Sequence, residues 1–196
     1  GSTVGGLTLT QPTSRSFLQV EEPRGDEDAV QAVTVNTLSA VAQPGSPARQ
    51  RGDNNTASVT ITGWDGFVGL LQDSGTGGTG NAATVNLAGA GEALVGQIGN
   101  GNVANLTVAP AALGGTILQD GTGNNATLGV TGAGATGLVS QVGSGLTSNL
   151  TVDGAGTSVS LYQDGVGQAF VGGPGTSVIS NGATVTITQT AIGGAQ

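Results

Sequence analysis

The chain has 196 residues, of which 38 are Gly and only five aromatic, and it contains no Cys, Met or His. Its basic residues are Arg15, Arg24, Arg49 and Arg51, with no Lys. These absences exclude a Ser-His-Asp triad, a cysteine nucleophile, the usual zinc sites, a lysine Schiff base and a Walker-type phosphate loop. The net charge is −8 and every Arg precedes residue 52. Most of the chain would therefore repel phosphate backbones and anionic membranes. No apolar run approaches the ~20 residues of a membrane span and no charged-apolar-small leader opens the chain, so neither membrane insertion nor nucleic-acid binding is expected. The absence of Cys fits an oxidising exterior.

In chain order, residues 1–36 read as a rung-like segment carrying a charged insertion. Gly6-Leu7-Thr8-Leu9-Thr10-Gln11 alternates as a strand ending in Gln. Residues 12–28 hold Arg15 and Arg24 against Glu21, Glu22, Asp26, Glu27 and Asp28. The next apolar run, Thr37 to Ala42, closes at Gln43, and a second irregular stretch over 44–54 holds Arg49 and Arg51. If Gln11 and Gln43 end consecutive strands, both loops leave the same edge of the molecule. They would then either decorate an assembly or simply be solvated.

From residue 37 to 196 internal repetition dominates, the feature to seek first in any sequence. Short apolar runs end in Gln43, Gln72, Gln97, Gln119, Gln141 and Gln163. The last five positions are separated by 25, 22, 22 and 22 residues; the 25 contains three extra residues in the turn 73–80. The gap from Gln43 to Gln72 reduces to the same period if seven residues around 46–52 are an insertion.

Each period contains two strands. After Gln97, alternate positions Asn102, Ala104, Leu106 and Val108 form one face; Asn124, Ala126, Leu128 and Val130 repeat it, as do Asn81, Ala83, Val85 and Leu87, and Asn55, Ala57, Val59 and Ile61. The strand before each Gln alternates likewise, as in Gly115, Ile117, Gln119. Gly-rich turns join the two, where Gly supplies positive φ. A 22-residue pair of strands cannot bury its apolar face alone, but stacked copies can. The expected fold is all-β: a parallel β-solenoid with two strands per rung, two facing sheets and a thin core.

On this alternation the Gln residues and Asn55, Asn81, Asn102 and Asn124 point inward. Buried amides are costly unless paired. At a rung spacing of ~4.8 Å each can bond the next, giving a structural ladder that also fixes register. No catalytic, cofactor or metal site is expected.

The unit Gln-x-Gly-x-x-Asn-x-Ala stands intact at Gln97–Ala104 and Gln119–Ala126, with a further match at Gln50–Ala57. It resembles the curlin repeat of curli fibre subunits, Ser-x5-Gln-x-Gly-x-x-Asn-x-Ala-x3-Gln, over about residues 37–174. The leading Ser is replaced by Gly66, Gly91, Leu113, Ala135 or Thr157, and the closing Gln by Ile61, Leu87, Val108, Val130 or Val152. The resemblance implies a secreted subunit that polymerises into functional-amyloid fibres of the biofilm matrix on a Gram-negative surface. It also implies a nucleator subunit and an outer-membrane export channel as partners. Open strand edges at the ends of a solenoid independently favour head-to-tail stacking into a cross-β fibre.

Other motifs carry less. Asp73, Asp120 and Asp164 each follow a ladder Gln on alternate rungs, and either bind calcium weakly or, as favoured, keep the surface soluble. Gly75 to Gly80 spells a dinucleotide fingerprint without a βαβ context, so it reads as a turn. The rival functions are a capped monomeric solenoid binding ice, glycan or mineral through a Thr-rich face, and an enzyme on a β-helix. The first is disfavoured by mixed outward positions (Gly96, Leu118, Ser140, Tyr162), the second by the scarcity of paired carboxylates and bases.

Overall fold

A computed structural model describes residues 6–11, 17–18, 20–21, 32–37, 48–52, 54–62, 66–75, 77–170, 176–178, 182 and 184–190. In chain order the strands are β1 (Gly6–Gln11), β2 (Phe17–Leu18), β3 (Val20–Glu21), β4 (Ala32–Thr37), β5 (Ala48–Arg51), β6 (Thr56–Thr62), β7 (Phe67–Asp73), β8 (Ala82–Ala88) and β9 (Glu92–Asn100). They continue as β10 (Val103–Val108), β11 (Gly114–Thr122), β12 (Asn125–Val130), β13 (Thr136–Ser144), β14 (Thr147–Val152), β15 (Ser158–Val166), β16 (Ala169–Phe170), β17 (Thr176–Val178) and β18 (Thr184–Thr190).

From β5 to β16 successive strands go to alternate sheets, and each pairs in parallel with its copy one repeat away. The first sheet has the order β16-β14-β12-β10-β8-β6-β1-β4, with β17 also beside β14; the second has β18-β15-β13-β11-β9-β7-β5-β3, with β2 also beside β7. The protein is therefore an all-β parallel solenoid of about six turns with ~22-residue repeats. Register is in step: Gln97 pairs Gln119, and Ala104 pairs Ala126.

Burial alternates along each strand, as period-two patterning requires. The core is two side chains thick. Ala104, Leu106 and Val108 enter it from the first sheet, Ile117 and Gln119 from the second. Large residues on one sheet meet small ones on the other. A methyl group on Gly115 would come 2.6 Å from Leu106 Cδ1, and one on Gly137 would come 2.9 Å from Leu128 Cδ1. Near the end of second-sheet strands β11 and β13, Gly121 and Gly143 take φ of 129° and 135°, and a side chain on Gly121 would run into the Gly143 carbonyl oxygen. Stacked glycines are thus needed both for the sharp corner and for close approach of successive turns.

The N-terminal segment departs from the sequence expectation. β1 joins the first sheet between β4 and β6, with Gln11 beside Thr37, so it does not extend the strands that end in ladder Gln. Its apolar alternation explains the choice: Leu7 and Leu9 share register with buried Ala57 and Val59.

Candidate functional site

The repeated chemistry lies in two amide ladders. In the second sheet Gln50 Nε2 donates to Gln72 Oε1 (2.6 Å), and the same bond recurs from Gln72 to Gln97, Gln97 to Gln119, Gln119 to Gln141, Gln141 to Gln163 and Gln163 to Gln189, at 2.8–2.9 Å. The second N–H of each amide crosses the core: Gln72, Gln97, Gln119, Gln141 and Gln163 donate to the carbonyls of Thr56, Ala82, Val103, Asn125 and Thr147. Small residues such as Ala83 and Ala104 on the facing strands leave the room that the amides fill.

The second ladder lines the turn into each first-sheet strand. Asn81 donates to Asn55 Oδ1 from both its backbone N (2.9 Å) and its Nδ2 (3.2 Å), and Asn102 repeats this on Asn81. The backbone N of Asn124 donates to Asn102 Oδ1, and that of Leu146 to Asn124 Oδ1. Each Nδ2 of Asn81, Asn102 and Asn124 also donates to a turn carbonyl, those of Gly99, Gly121 and Gly143. The two ladders run in opposite senses. Each ladder Gln oxygen accepts from the rung before it, each ladder Asn oxygen from the rung after it.

The structure gathers all the predicted amides except Gln43, which lies outside the described residues. The rung before Gln72 is held by Gln50, at the unmodified period of 22, so no insertion is needed there. Gln189 was not singled out from sequence, although Thr184 to Thr188 alternates plainly. Its distance from Gln163 is 26, and that stretched period hid it.

The two outer faces differ sharply. The first sheet presents Ser58, Thr84, Asn105, Thr127 and Asn149 in one column and Thr60, Asn86, Thr107, Gly129 and Thr151 in the next. The positions read as mixed from sequence all belong to the second sheet. There Leu71, Ile98, Leu118, Val142 and Tyr162 stand 38–49% exposed. Its columns alternate by rung: Leu71, Gly96, Leu118, Ser140, Tyr162 in one, and Gly69, Leu94, Thr116, Leu138, Ser160 in its neighbour. The tips of Leu94 and Leu118 lean over Gly69 and Gly96, where a methyl group would meet them at 2.9 and 3.1 Å.

Asp73, Asp120 and Asp164 share a column with Ile98 and Val142 between them. Neighbouring carboxylates are thus two rungs, about 9.6 Å, apart, too far to share one ion. Among the described residues no three ligating side chains come together, and no helix is long and apolar enough to cross a membrane. No family model, curated protein or solved structure matches this chain.

Proposed function

We propose that the chain is a structural subunit that stacks end to end into a curli-like, functional-amyloid fibre at the bacterial surface, serving biofilm matrix and attachment. The observation that carries this reading is the Gln ladder. Every step is the same bond in the same sense, and each rung is built to receive another of its kind. The second sheet ends, among the described residues, on β18, whose seven residues pair on one side with β15 through Gln163 and Gln189. A further parallel strand carrying Gln at that register would continue both the backbone bonds and the ladder; in another copy that strand is β5, whose Gln50 lies beyond the two residues, Ala48 and Arg49, that β3 covers. Secretion, a nucleator and an export channel follow only from the resemblance in the repeats. Nothing in the amide network calls for catalysis.

Negative-stain microscopy of the chain diluted from denaturant to micromolar concentration tests this reading, with diffraction from any filaments. Unbranched filaments with a ~4.7 Å meridional reflection are expected. A persistent β-rich monomer would overturn it and move the function to the second reading, a surface-binding solenoid. That reading has one observation in its favour: the uncharged Thr, Asn and Ser columns of the first sheet's outer face. Such a face would hydrogen-bond a flat, hydroxyl-rich lattice.

A further inference from the structure

The outer face of the second sheet repeats every two rungs, although the core repeats every one. In its two central columns each rung from β7 to β15 carries one larger and one smaller residue, and the larger one changes column at each step; β18 ends the pattern with Thr186 and Thr188. Leu71 stands beside Gly69, then Gly96 beside Leu94, then Leu118 beside Thr116. Ser140 beside Leu138 and Tyr162 beside Ser160 continue the pattern. No core requirement dictates it, since these side chains point away from the core.

We propose that this face is a pairing surface for a second copy of the chain, related by a two-fold axis running along the stack and passing between the two central columns. That rotation reverses strand direction and keeps every rung at its own height. Leu71 then meets the second copy's Gly69, Gly96 meets Leu94, and Tyr162 meets Ser160. Each rung from β7 to β15 sets one larger residue against one smaller across the interface, and because the Leu94 and Leu118 tips already lean over Gly69 and Gly96, the two faces meet as even surfaces. A two-fold axis along the strands instead keeps each column facing itself: centred on β11 it sets Leu118 against Leu118 and Leu71 against Tyr162.

From β7 to β18 the acids of this face, Asp73, Glu92, Asp120 and Asp164, lie in the two flanking columns and the central columns are uncharged. Under the rotation Asp73 meets Phe67, Glu92 meets Ile98, and Asp120 meets Gly114. No acid faces an acid on its own rung, but Glu92 stands one rung from both Asp73 and Asp120 of the second copy, so the margins repel and the pairing strengthens with added salt. Six strands at ~4.8 Å and about seven residues at ~3.3 Å give each copy about 650 Å² of interface, or roughly 1,300 Å² for the pair, within the range of specific complexes. Both copies point the same way along the axis, so the pairing is compatible with end-to-end growth but does not depend on it.

The chain has no Cys of its own, which allows a clean cross-linking test. Glu92→Cys and Ile98→Cys chains, mixed at micromolar concentration and cleared of filaments by ultracentrifugation, are treated with a bismaleimide that spans the ~10 Å between packed sheets and run on a denaturing gel. The rotation brings residue 92 of one copy to residue 98 of the other, whereas two copies of residue 98 lie on opposite margins. The mixed sample is expected to form cross-linked dimer at least tenfold faster than Ile98→Cys alone. Equal rates, or no dimer in either sample, would overturn the proposal. Leu118→Asp added to both chains should abolish the mixed cross-link while the β circular-dichroism signal persists; an undiminished cross-link in a folded Leu118→Asp sample would also overturn it.

Discussion

The Gln and Asn ladders use the same amide group, yet one spans seven strands and the other ends at Asn124. The difference lies in what can close each of them. An Asn oxygen receives the backbone N–H of the residue one repeat later, and every residue except Pro has one. Leu146 therefore ends that ladder without orphaning a polar atom, and its own side chain is fully buried. A Gln amide donates into another side-chain oxygen, which no backbone group at that register supplies. The Gln ladder can only be continued, and among the described residues it continues to Gln189. A buried chain of donors stays favourable only while each member is satisfied.

Substitutions sharpen this contrast. Gln119→Leu should be the most damaging, because it strands the Gln97 amide N–H, the Gln141 oxygen and the Val103 carbonyl in the core. A loss of about 4 kcal/mol is expected from three buried groups without partners, read as a fall in denaturant midpoint. Gly121→Ala comes next, at about 3 kcal/mol: it forces a methyl group toward the Gly143 carbonyl at positive φ and displaces the carbonyl that holds Asn102. Asn102→Leu should cost about 2 kcal/mol, because it removes the acceptor of the Asn124 backbone N–H but leaves its own backbone N–H on Asn81 Oδ1. Leu146→Asn should change stability by no more than about 1 kcal/mol, since it only moves the closing step one rung further. A collapse of the fold on Leu146→Asn would show that the ladder's end is set by packing and not by backbone closure.

Much of this was legible in the sequence because a solenoid writes its rung length as a period. Gln97, Gln119, Gln141 and Gln163, each 22 residues from the next, fixed both the fold class and the ladder. Legibility failed where the period is stretched. The run Thr37 to Ala42 reads as a strand that closes at Gln43, yet Gln50 has the unmodified spacing and the intact Gln-x-Gly-x-x-Asn-x-Ala pattern. Local strand propensity competed with register there, and register won. The place of β1 between β4 and β6 was not legible, because its pairing partners are chosen by matching apolar alternation across distant segments. The polar face of the first sheet was overlooked for a simpler reason. The outward positions Gly96, Leu118, Ser140 and Tyr162 belong to strands that carry the ladder Gln, and those all lie in the second sheet.

The opposed senses of the two ladders have an electrostatic consequence. Each primary amide is a dipole, and aligned dipoles sum along an axis as peptide units do in a helix. From Gln72 to Gln119 the Asn amides point against the Gln amides and offset them. Past Asn124 no such opposition remains, and the steps from Gln141 to Gln189 add up unopposed. The β18 end therefore carries the positive pole of an uncompensated field, and the β5 end meets it with amide oxygens. Two stacks approaching pole to opposite pole attract, and like poles repel. Any filament they form has a direction, and its two tips grow at different rates.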